Sequence, residues 1–206
     1  MTRVIGGAAG GRRLTVPRGT STRPTSDRAR EGLFASVQSE LGSLGGKRVL
    51  DLYAGTGAVG LEALSRGAGH VLLVESDTRT AAVIKANIAA VGIPGATVVT
   101  DRAERLLSRP PGPAERYDLV FADPPYAVTQ AALTRVLTLL ADGWLAGDAL
   151  VVVERATRSG TLEWPPGYVP GKSRRYGEAT FWYGWYGGGA AAGHAQDAAP
   201  RCALEE

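Results

Sequence analysis

Apolar and polar residues follow two different periods along this chain. From Lys47 onward, short and nearly continuous apolar runs alternate with stretches in which apolar residues recur every three or four positions. The runs predict β-strands and the periodic stretches predict helices, because side chains repeat at these spacings on the two structures. We expect strands at residues 48–53, 70–75, 96–100, 117–122 and 150–154, and helices at residues 59–65, 80–91 and 131–140.

Two of the runs contain no polar side chain at all. Residues 71–74 and 150–153 consist only of valine and leucine. Such runs are typical of central parallel strands that helices cover on both faces. The alternation therefore predicts an α/β fold, namely an open, doubly wound, mostly parallel sheet that binds ligands at the carboxyl ends of its strands.

An N-terminal extension precedes this core. Val4-Ile5 and Leu14-Thr15-Val16 surround four glycines, which predicts a short hairpin. Thr25 or Ser26 can then cap a helix with one buried stripe. The stripe consists of Ala29, Leu33, Phe34, Val37 and Leu41.

The last part of the sequence contains two segments of different composition. Residues 172–186 close with the aromatic run 181–186, which predicts final sheet strands and favours core packing over a base-stacking platform. Residues 187–206 are rich in glycine and alanine, and we expect a disordered tail. The chain thus divides into an extension (1–46), a core domain (47–186) and a tail (187–206).

A glycine-rich turn follows the first core strand. Gly55, Gly57 and Gly60 fit the pattern G-x-G-x-x-G, which lets a nucleotide-like ligand approach the backbone closely. Asp51 lies just before the turn, where a carboxylate repels the pyrophosphate of a dinucleotide and attracts the ammonium and sulfonium groups of S-adenosyl-L-methionine. The pattern therefore favours S-adenosylmethionine over NAD as the cofactor.

Acidic residues also end the next two strands. Glu75 is placed to accept hydrogen bonds from the ribose hydroxyls, although a solvated surface acid would explain it without the glycine turn. Asp101 and Ala103 lie where an adenine ring would be held. The predicted cofactor site further includes the neighbouring residues Tyr53, Thr56, Ser76 and Arg102.

The tetrapeptide Asp123-Pro124-Pro125-Tyr126 follows the strand at 117–122. It could be a plain strand stop, but it leaves the sheet at the same edge as the glycine turn, which favours a catalytic role. The acceptor that such a site would methylate is an amine conjugated to a purine ring, which is a poor nucleophile because its lone pair is delocalised. Asp123 and the Pro124 carbonyl can accept its two N–H groups and aim its lone pair, Pro125 stiffens the loop, and Tyr126 can stack on the base.

Basic side chains are concentrated near the N-terminus. The first 48 residues carry nine basic and three acidic side chains, whereas the whole chain has a net charge of +3. A basic arm fits binding to a phosphate backbone, and a solvated, solubilising surface explains the charge equally well.

Cysteine and histidine are scarce. Cys202 is the single cysteine, and His70 and His194 are isolated, so we expect neither an intramolecular disulfide nor a metal site. No signal sequence and no apolar window of membrane-spanning length is found in the sequence, so we expect a cytoplasmic protein without a membrane partner.

Taken together, these segments resemble the bacterial 16S ribosomal RNA guanine-N2 methyltransferase family across nearly all of residues 1–186. The resemblance lies in residues 3–7, 10–14, 23–34, 51–57 and 123–126, of which the N-terminal segments are the specific ones. The spacer at 18–22 and the tail after 186 depart from the family pattern.

The resemblance implies a Rossmann-like class I methyltransferase with a seven-stranded sheet and S-adenosyl-L-methionine as the cofactor. It implies one guanine of 16S rRNA as the substrate, within an assembling 30S particle, and we expect a monomer. The basic arm would then bind RNA through Arg3, Arg12, Arg13, Arg23, Thr25, Arg28 and Arg30.

Three other functions remain open from the sequence. DNA adenine-N6 and protein glutamine methyltransferases use a similar tetrapeptide, but the first needs a larger recognition domain and the second has little need for a basic arm. A non-catalytic RNA-binding assembly factor could keep the fold, although Asp51 and Asp123 are both intact.

Overall fold

The computed structural model describes residues 2–17 and 26–187. The predictions made for Arg23, Thr25, the spacer at 18–22, and the tail from residue 188 onward lie outside these residues. Within the part described, no helix is long and apolar enough to cross a bilayer.

Nine strands and five α-helices make up the described chain. The strands are β1 (Thr2–Arg3), β2 (Arg13–Leu14), β3 (Arg48–Leu52), β4 (His70–Glu75), β5 (Ala96–Thr100), β6 (Tyr117–Ala122), β7 (Leu145–Ala156), β8 (Tyr168–Tyr176) and β9 (Ala179–Tyr186). The helices are α1 (Asp27–Leu41), α2 (Ala58–Ser65), α3 (Thr78–Val91), α4 (Ala103–Leu107) and α5 (Gln130–Ala141), with a 3-10 turn at Thr157–Ser159.

The core is one seven-stranded sheet in the order β5-β4-β3-β6-β7-β9-β8. Strands β3 to β7 are parallel, and β9 and β8 add an antiparallel edge. Two apolar clusters cover its faces, one with α1, α2 and α3 and the other with α4 and α5. The predicted doubly wound, mostly parallel sheet is confirmed, and the carboxyl ends of β3 to β7 meet at one edge.

Side-chain caps fix where the longer helices begin. The Ser26 hydroxyl accepts a hydrogen bond from the Ala29 amide at the start of α1, and the Asp77 carboxylate does the same for Thr80 in α3. Gly42 and Gly92 end these helices at φ values of 68° and 69°, which favour glycine. The predicted apolar stripe of α1 faces the core, with Leu41 half-buried at its end.

The N-terminal hairpin is shorter than predicted. Its strands are Thr2–Arg3 and Arg13–Leu14, and beyond them the Val4 amide donates to the Arg12 carbonyl at 2.9 Å and the Gly11 amide to the Val4 carbonyl at 2.8 Å. The amides of Ile5 and Gly6 donate to the Glu62 carboxylate at 2.6 and 2.9 Å. Beyond Val4, the loop of the hairpin is therefore hydrogen-bonded to α2.

Two further differences concern the core. The short helix α4 was not predicted, and β7 starts at Leu145 rather than near residue 150, with Asp148 at φ 61° before its apolar run. The aromatic run behaves as predicted, since Phe181, Tyr183 and Trp185 are buried in the core.

Candidate active site

Acidic side chains collect at the carboxyl edge of the parallel strands. Asp51 pairs in register with Phe121 of β6, and Phe121 pairs with Val152 of β7. Because side chains alternate between faces along a strand, Asp123 and Glu154 lie on the same face as Asp51. This face is the one covered by α1 and α2.

The glycine turn is held tightly against this edge. The Gly60 amide donates to Asp51 Oδ2 at 2.8 Å. A Cβ on Gly60 would lie 2.9 Å from side-chain atoms of Leu73 and Val71, so a larger residue would push the turn away from the sheet. Gly55 and Gly57 have φ values of 56° and 76°. The backbone conformation thus favours glycine at positions 55 and 57, and close packing against the sheet favours it at position 60.

Burial is the main cause that raises the pKa of the Asp51 carboxyl to about 7, the hydrogen bond from Gly60 opposes this shift, and the charge of Glu75 contributes to it. A buried carboxylate with acidic neighbours gains most from a ligand that brings positive charge. The sulfonium and ammonium groups of S-adenosylmethionine meet this requirement. The residues present therefore fit that cofactor better than a dinucleotide.

Glu75 shapes the same turn. Its Oε2 accepts from the Gly55 amide at 3.0 Å, and its Oε1 accepts from the Asp77 amide at 2.9 Å. The Ser76 hydroxyl also donates to Oε1 at 3.5 Å, whereas Oε2 has a second lone pair that a ribose hydroxyl can use. Ser76 lies beside it and is exposed.

The other predicted cofactor residues lie at the same edge. Tyr53 follows β3 in a left-handed conformation (φ 61°), and burial, together with Glu104, raises the pKa of its hydroxyl. Asp101 follows β5, and Arg105 Nε lies 2.8 Å from its Oδ1 and 3.0 Å from its Oδ2. Arg102 is exposed and Ala103 is buried at the start of α4.

Two hydrogen bonds hold the loop that contains the tetrapeptide. The Val128 amide donates to the Pro125 carbonyl at 2.8 Å, and Arg155 donates to the Val128 carbonyl at 2.9 Å. Pro124 is buried, whereas Tyr126 is 77% exposed and is the one large apolar side chain so exposed in the described residues. An exposed aromatic ring beside a buried edge is the arrangement that base stacking needs.

Asp123 faces the cleft and has acidic neighbours. Its side chain reaches the surface of the cleft, yet protein surrounds it closely, and this desolvation, followed by the charges of Glu154 and Asp51, raises the pKa of the Asp123 carboxyl well above its ordinary value. Asp123 can therefore both accept an N–H group when ionised and hold a proton at pH values where most aspartates cannot.

Two adjoining spaces lead from Asp123 to solvent. A cavity of about 20 Å³ touches Asp123, Pro124 and Ser159, and a groove of about 650 Å³ runs between the start of α1 and the β8–β9 turn. They share Tyr126 and Glu154. The groove is large enough for a nucleotide to reach the tetrapeptide from outside.

A family model described as Conserved hypothetical protein 95 matches residues 2–185. The chain belongs to this family. Ribosomal RNA small subunit methyltransferase D of Escherichia coli is 35% identical over 180 residues, which is 87% of either chain. The protein of the same name in Haemophilus influenzae is 34% identical over 74% of this chain and 77% of its own. These relatives confirm the resemblance seen in the sequence.

Solved structures of this family share the fold. The Escherichia coli protein yhhF has a TM-score of 0.78 at 32% identity, covering 90% of this chain and 97% of its own. A hypothetical protein of Thermus thermophilus has a TM-score of 0.74 at 35% identity, covering 89% of this chain and 98% of its own. The fold is the Rossmann-like fold of class I methyltransferases, as predicted.

The arginines predicted to bind RNA are spread over different surfaces. Arg28 is exposed and lines the groove. Arg3 and Arg13 are exposed on the hairpin, and Arg3 pairs with Asp27 at 3.3 Å. Arg12 donates to the Ala90 carbonyl at 2.7 Å in the last turn of α3. That turn leads into β5 at the edge opposite to the tetrapeptide.

Arg30 does not reach the surface. It is 1% exposed, and its guanidinium donates to the Arg3 carbonyl at 2.6 Å and to Asp27 at 2.9 Å. The prediction that it contacts RNA does not fit this position. A sequence signal existed, because Arg30 falls three, four and seven residues before the buried Leu33, Phe34 and Val37.

Three residues that line the groove or lie beside Tyr126 were not predicted. Glu154 ends an apolar strand just as Glu75 does, so the same reasoning could have found it. Arg158 places its guanidinium carbon 6.0 Å from the centre of the Tyr126 ring. Arg175 of β8 lines the groove, as Arg28 does. The last two lie far from any motif in the sequence.

Proposed function

We propose that this protein transfers a methyl group from S-adenosylmethionine to the exocyclic N2 amine of a specific guanine in 16S rRNA. The observation that carries the proposal is the convergence of Asp51, Asp123 and the exposed Tyr126 at the edge of the sheet that also holds the glycine turn. The names of the Escherichia coli and Haemophilus influenzae relatives support ribosomal RNA as the substrate.

The cofactor would occupy the turn between β3 and α2. Asp51 and Glu75 would hold its charged and ribose groups, and Asp101 with Ala103 its adenine ring. When bound, S-adenosylmethionine supplies an electrophilic methyl group on a positively charged sulfur. The acidic edge favours this charge, because opposite charges a few ångströms apart attract strongly where solvent is excluded.

The tetrapeptide would prepare the acceptor amine. Asp123 accepts one N–H of the target amine and the Pro124 carbonyl accepts the other, which turns the nitrogen lone pair toward the incoming methyl group. The N–C bond forms as the S–C bond breaks, and the nitrogen then carries an extra proton. Asp123 can take up this proton because its pKa is raised.

The substrate base would be held by stacking. Tyr126 offers its exposed ring to a base turned out of the RNA, and Arg158 lies beside that ring. Arg28 of α1 and Arg175 of β8 both line the groove, where they can contact phosphates next to the target nucleotide. We propose that residues 1–46 form an RNA-binding extension of the methyltransferase domain at 47–186.

Labelled methyl transfer tests the proposal. The protein and its Asp123→Ala variant would be incubated with radiolabelled S-adenosylmethionine and 30S particles, naked 16S rRNA, DNA or protein. We expect label only with the ribosomal substrates, as N2-methylguanosine after nuclease digestion, and none with the variant. Label in N6-methyladenine of DNA or in protein glutamine would contradict the proposal, as would the absence of label in every substrate.

A further inference from the structure

Glu154 stands directly beside Asp123. Ala122 of β6 pairs in register with Val153 of β7, so the next residue on each strand, Asp123 and Glu154, meets at the carboxyl edge. Both side chains point to the same face of the sheet, and both line the cavity that Tyr126 borders. Two carboxylates on neighbouring parallel strands thus face one space.

A second carboxylate is not needed to orient an amine. Asp123 and the Pro124 carbonyl already provide acceptors for both N–H groups. Burial raises the pKa of the Asp123 carboxyl, and the charge of Glu154 raises it further, so holding the two carboxylates together is also unfavourable. A carboxylate can accept several hydrogen bonds, so Glu154 can also accept one from a bound group that carries a second donor next to the amine.

Guanine supplies that donor and adenine does not. The N1–H of guanine lies next to its N2 amine on the Watson–Crick edge, whereas the ring nitrogen next to the adenine amine carries a lone pair. Building on the proposed function, we infer that Glu154 is a specificity-determining residue that accepts the N1–H of the target guanine while Asp123 accepts an N2 proton. A base with a lone pair at N1 would be repelled by the Glu154 carboxylate.

The positions of Tyr126 and Glu154 in the cavity agree with this role. Tyr126 borders the same space and can hold the base in the plane of the two carboxylates by stacking. Glu154 is half-buried two residues before the end of β7 and lines this cavity together with Asp123. Sites built to bind a particular N–H reject analogues that lack it more strongly than sites that only match shape.

The test replaces the target guanosine of the RNA by 2-aminopurine riboside. This base keeps the 2-amine but has a lone pair at N1. For the unaltered protein, we expect the single-turnover rate with guanosine to exceed that with 2-aminopurine by on the order of a hundredfold, the scale of a lost hydrogen bond to a charged group. Equal rates for the two RNAs would overturn the inference.

The variant E154Q tests whether Glu154 causes the preference for guanosine over 2-aminopurine. A glutamine amide can donate to a lone pair at N1, so the ratio of the two rates should fall at least about tenfold. E163Q serves as the matched control, because Glu163 is exposed outside the cavity and should leave the ratio unchanged. An unchanged ratio in E154Q would overturn the role of Glu154.

Loss of turnover in E154Q would not prevent the test. The dissociation constants of the two RNAs, measured with S-adenosylhomocysteine present, give the same ratio without methyl transfer, and E154A should bring that ratio close to one. A preference retained in E154A overturns the inference but leaves the proposed function standing. The proposed function itself fails if the unaltered protein methylates no guanosine RNA or 30S particle.

Discussion

The amide of Gly60 donates a hydrogen bond of 2.8 Å to the carboxylate of Asp51. This bond joins the end of β3 to the first turn of α2 and holds the glycine turn between them. The same carboxylate is buried, and its pKa is raised to about 7. Asp51 therefore has two roles in the proposed site, because it shapes the cofactor turn and also carries a charge that depends on pH near neutrality.

The first prediction is that cofactor affinity rises with pH. A bound cation favours the ionised form of Asp51, so binding lowers its pKa and releases a proton. The affinity for S-adenosylmethionine should increase as the pH rises from about 6 through about 7, by at most about tenfold per pH unit. Titration calorimetry in buffers with different heats of ionisation measures both the affinity and the proton release.

Asp51→Asn is the control for this effect. It keeps an oxygen for the Gly60 amide but cannot ionise, so its affinity should be weaker by about 1 to 3 kcal/mol above neutral pH, the scale of a lost charged interaction. Its pH dependence should be flatter than that of the unaltered protein. An affinity that does not vary with pH in the unaltered protein would show that Asp51 does not interact with the cofactor charge.

The second prediction separates a structural arginine from a substrate-binding one. Arg30→Ala should lower the free energy of unfolding by about 3 kcal/mol, because it leaves the Arg3 carbonyl and Asp27 without their buried partner. Arg28→Ala, on the same helix but exposed, should change it by less than about 0.5 kcal/mol. Urea unfolding followed by circular dichroism measures both. Equal stabilities would contradict the buried role of Arg30.

The third prediction concerns RNA binding at the groove. Arg28→Ala should weaken binding to 16S rRNA and lower the slope of log affinity against log salt concentration by about 0.7 to 0.9 if one phosphate contact is lost. Arg135 is equally exposed but lies on α5, on the other face of the sheet, so Arg135→Ala should leave both quantities unchanged. If the two variants have the same slope, Arg28 serves only solubility.

The sequence predicted the parts of the fold that have strong periodicity. The strands at His70–Glu75, Ala96–Thr100 and Tyr117–Ala122 match their predicted bounds, because each is an apolar run between turn residues. The helix Ala103–Leu107 was missed, since five residues are too few to show a helical period. Its two buried leucines could equally have belonged to a loop.

Site residues could be predicted where they belong to a motif or lie at the end of a strand. Asp51, Glu75 and Asp123 each end or follow an apolar run, and parallel topology brings such residues to one edge. Arg158 and Arg175 could not be predicted, because Arg158 lies in a short 3-10 turn and Arg175 lies on β8, and neither belongs to a motif in the sequence. No local pattern in the sequence shows that these two arginines lie near Tyr126 or the groove.

The last prediction is that Asp123→Ala abolishes methyl transfer but leaves the cofactor bound, because Asp123 orients the amine rather than the cofactor. Loss of this orientation should lower the single-turnover rate on 30S particles by about a hundredfold or more.

Tyr126→Ala should be milder, since it removes stacking worth about 1 to 3 kcal/mol that the RNA can partly replace. Asp142→Ala, an exposed aspartate at the end of α5, should retain full activity. Calorimetry should give nearly the same S-adenosylmethionine affinity for all three variants. Near-normal transfer by Asp123→Ala would mean that the tetrapeptide only ends a strand and that the amine is oriented elsewhere.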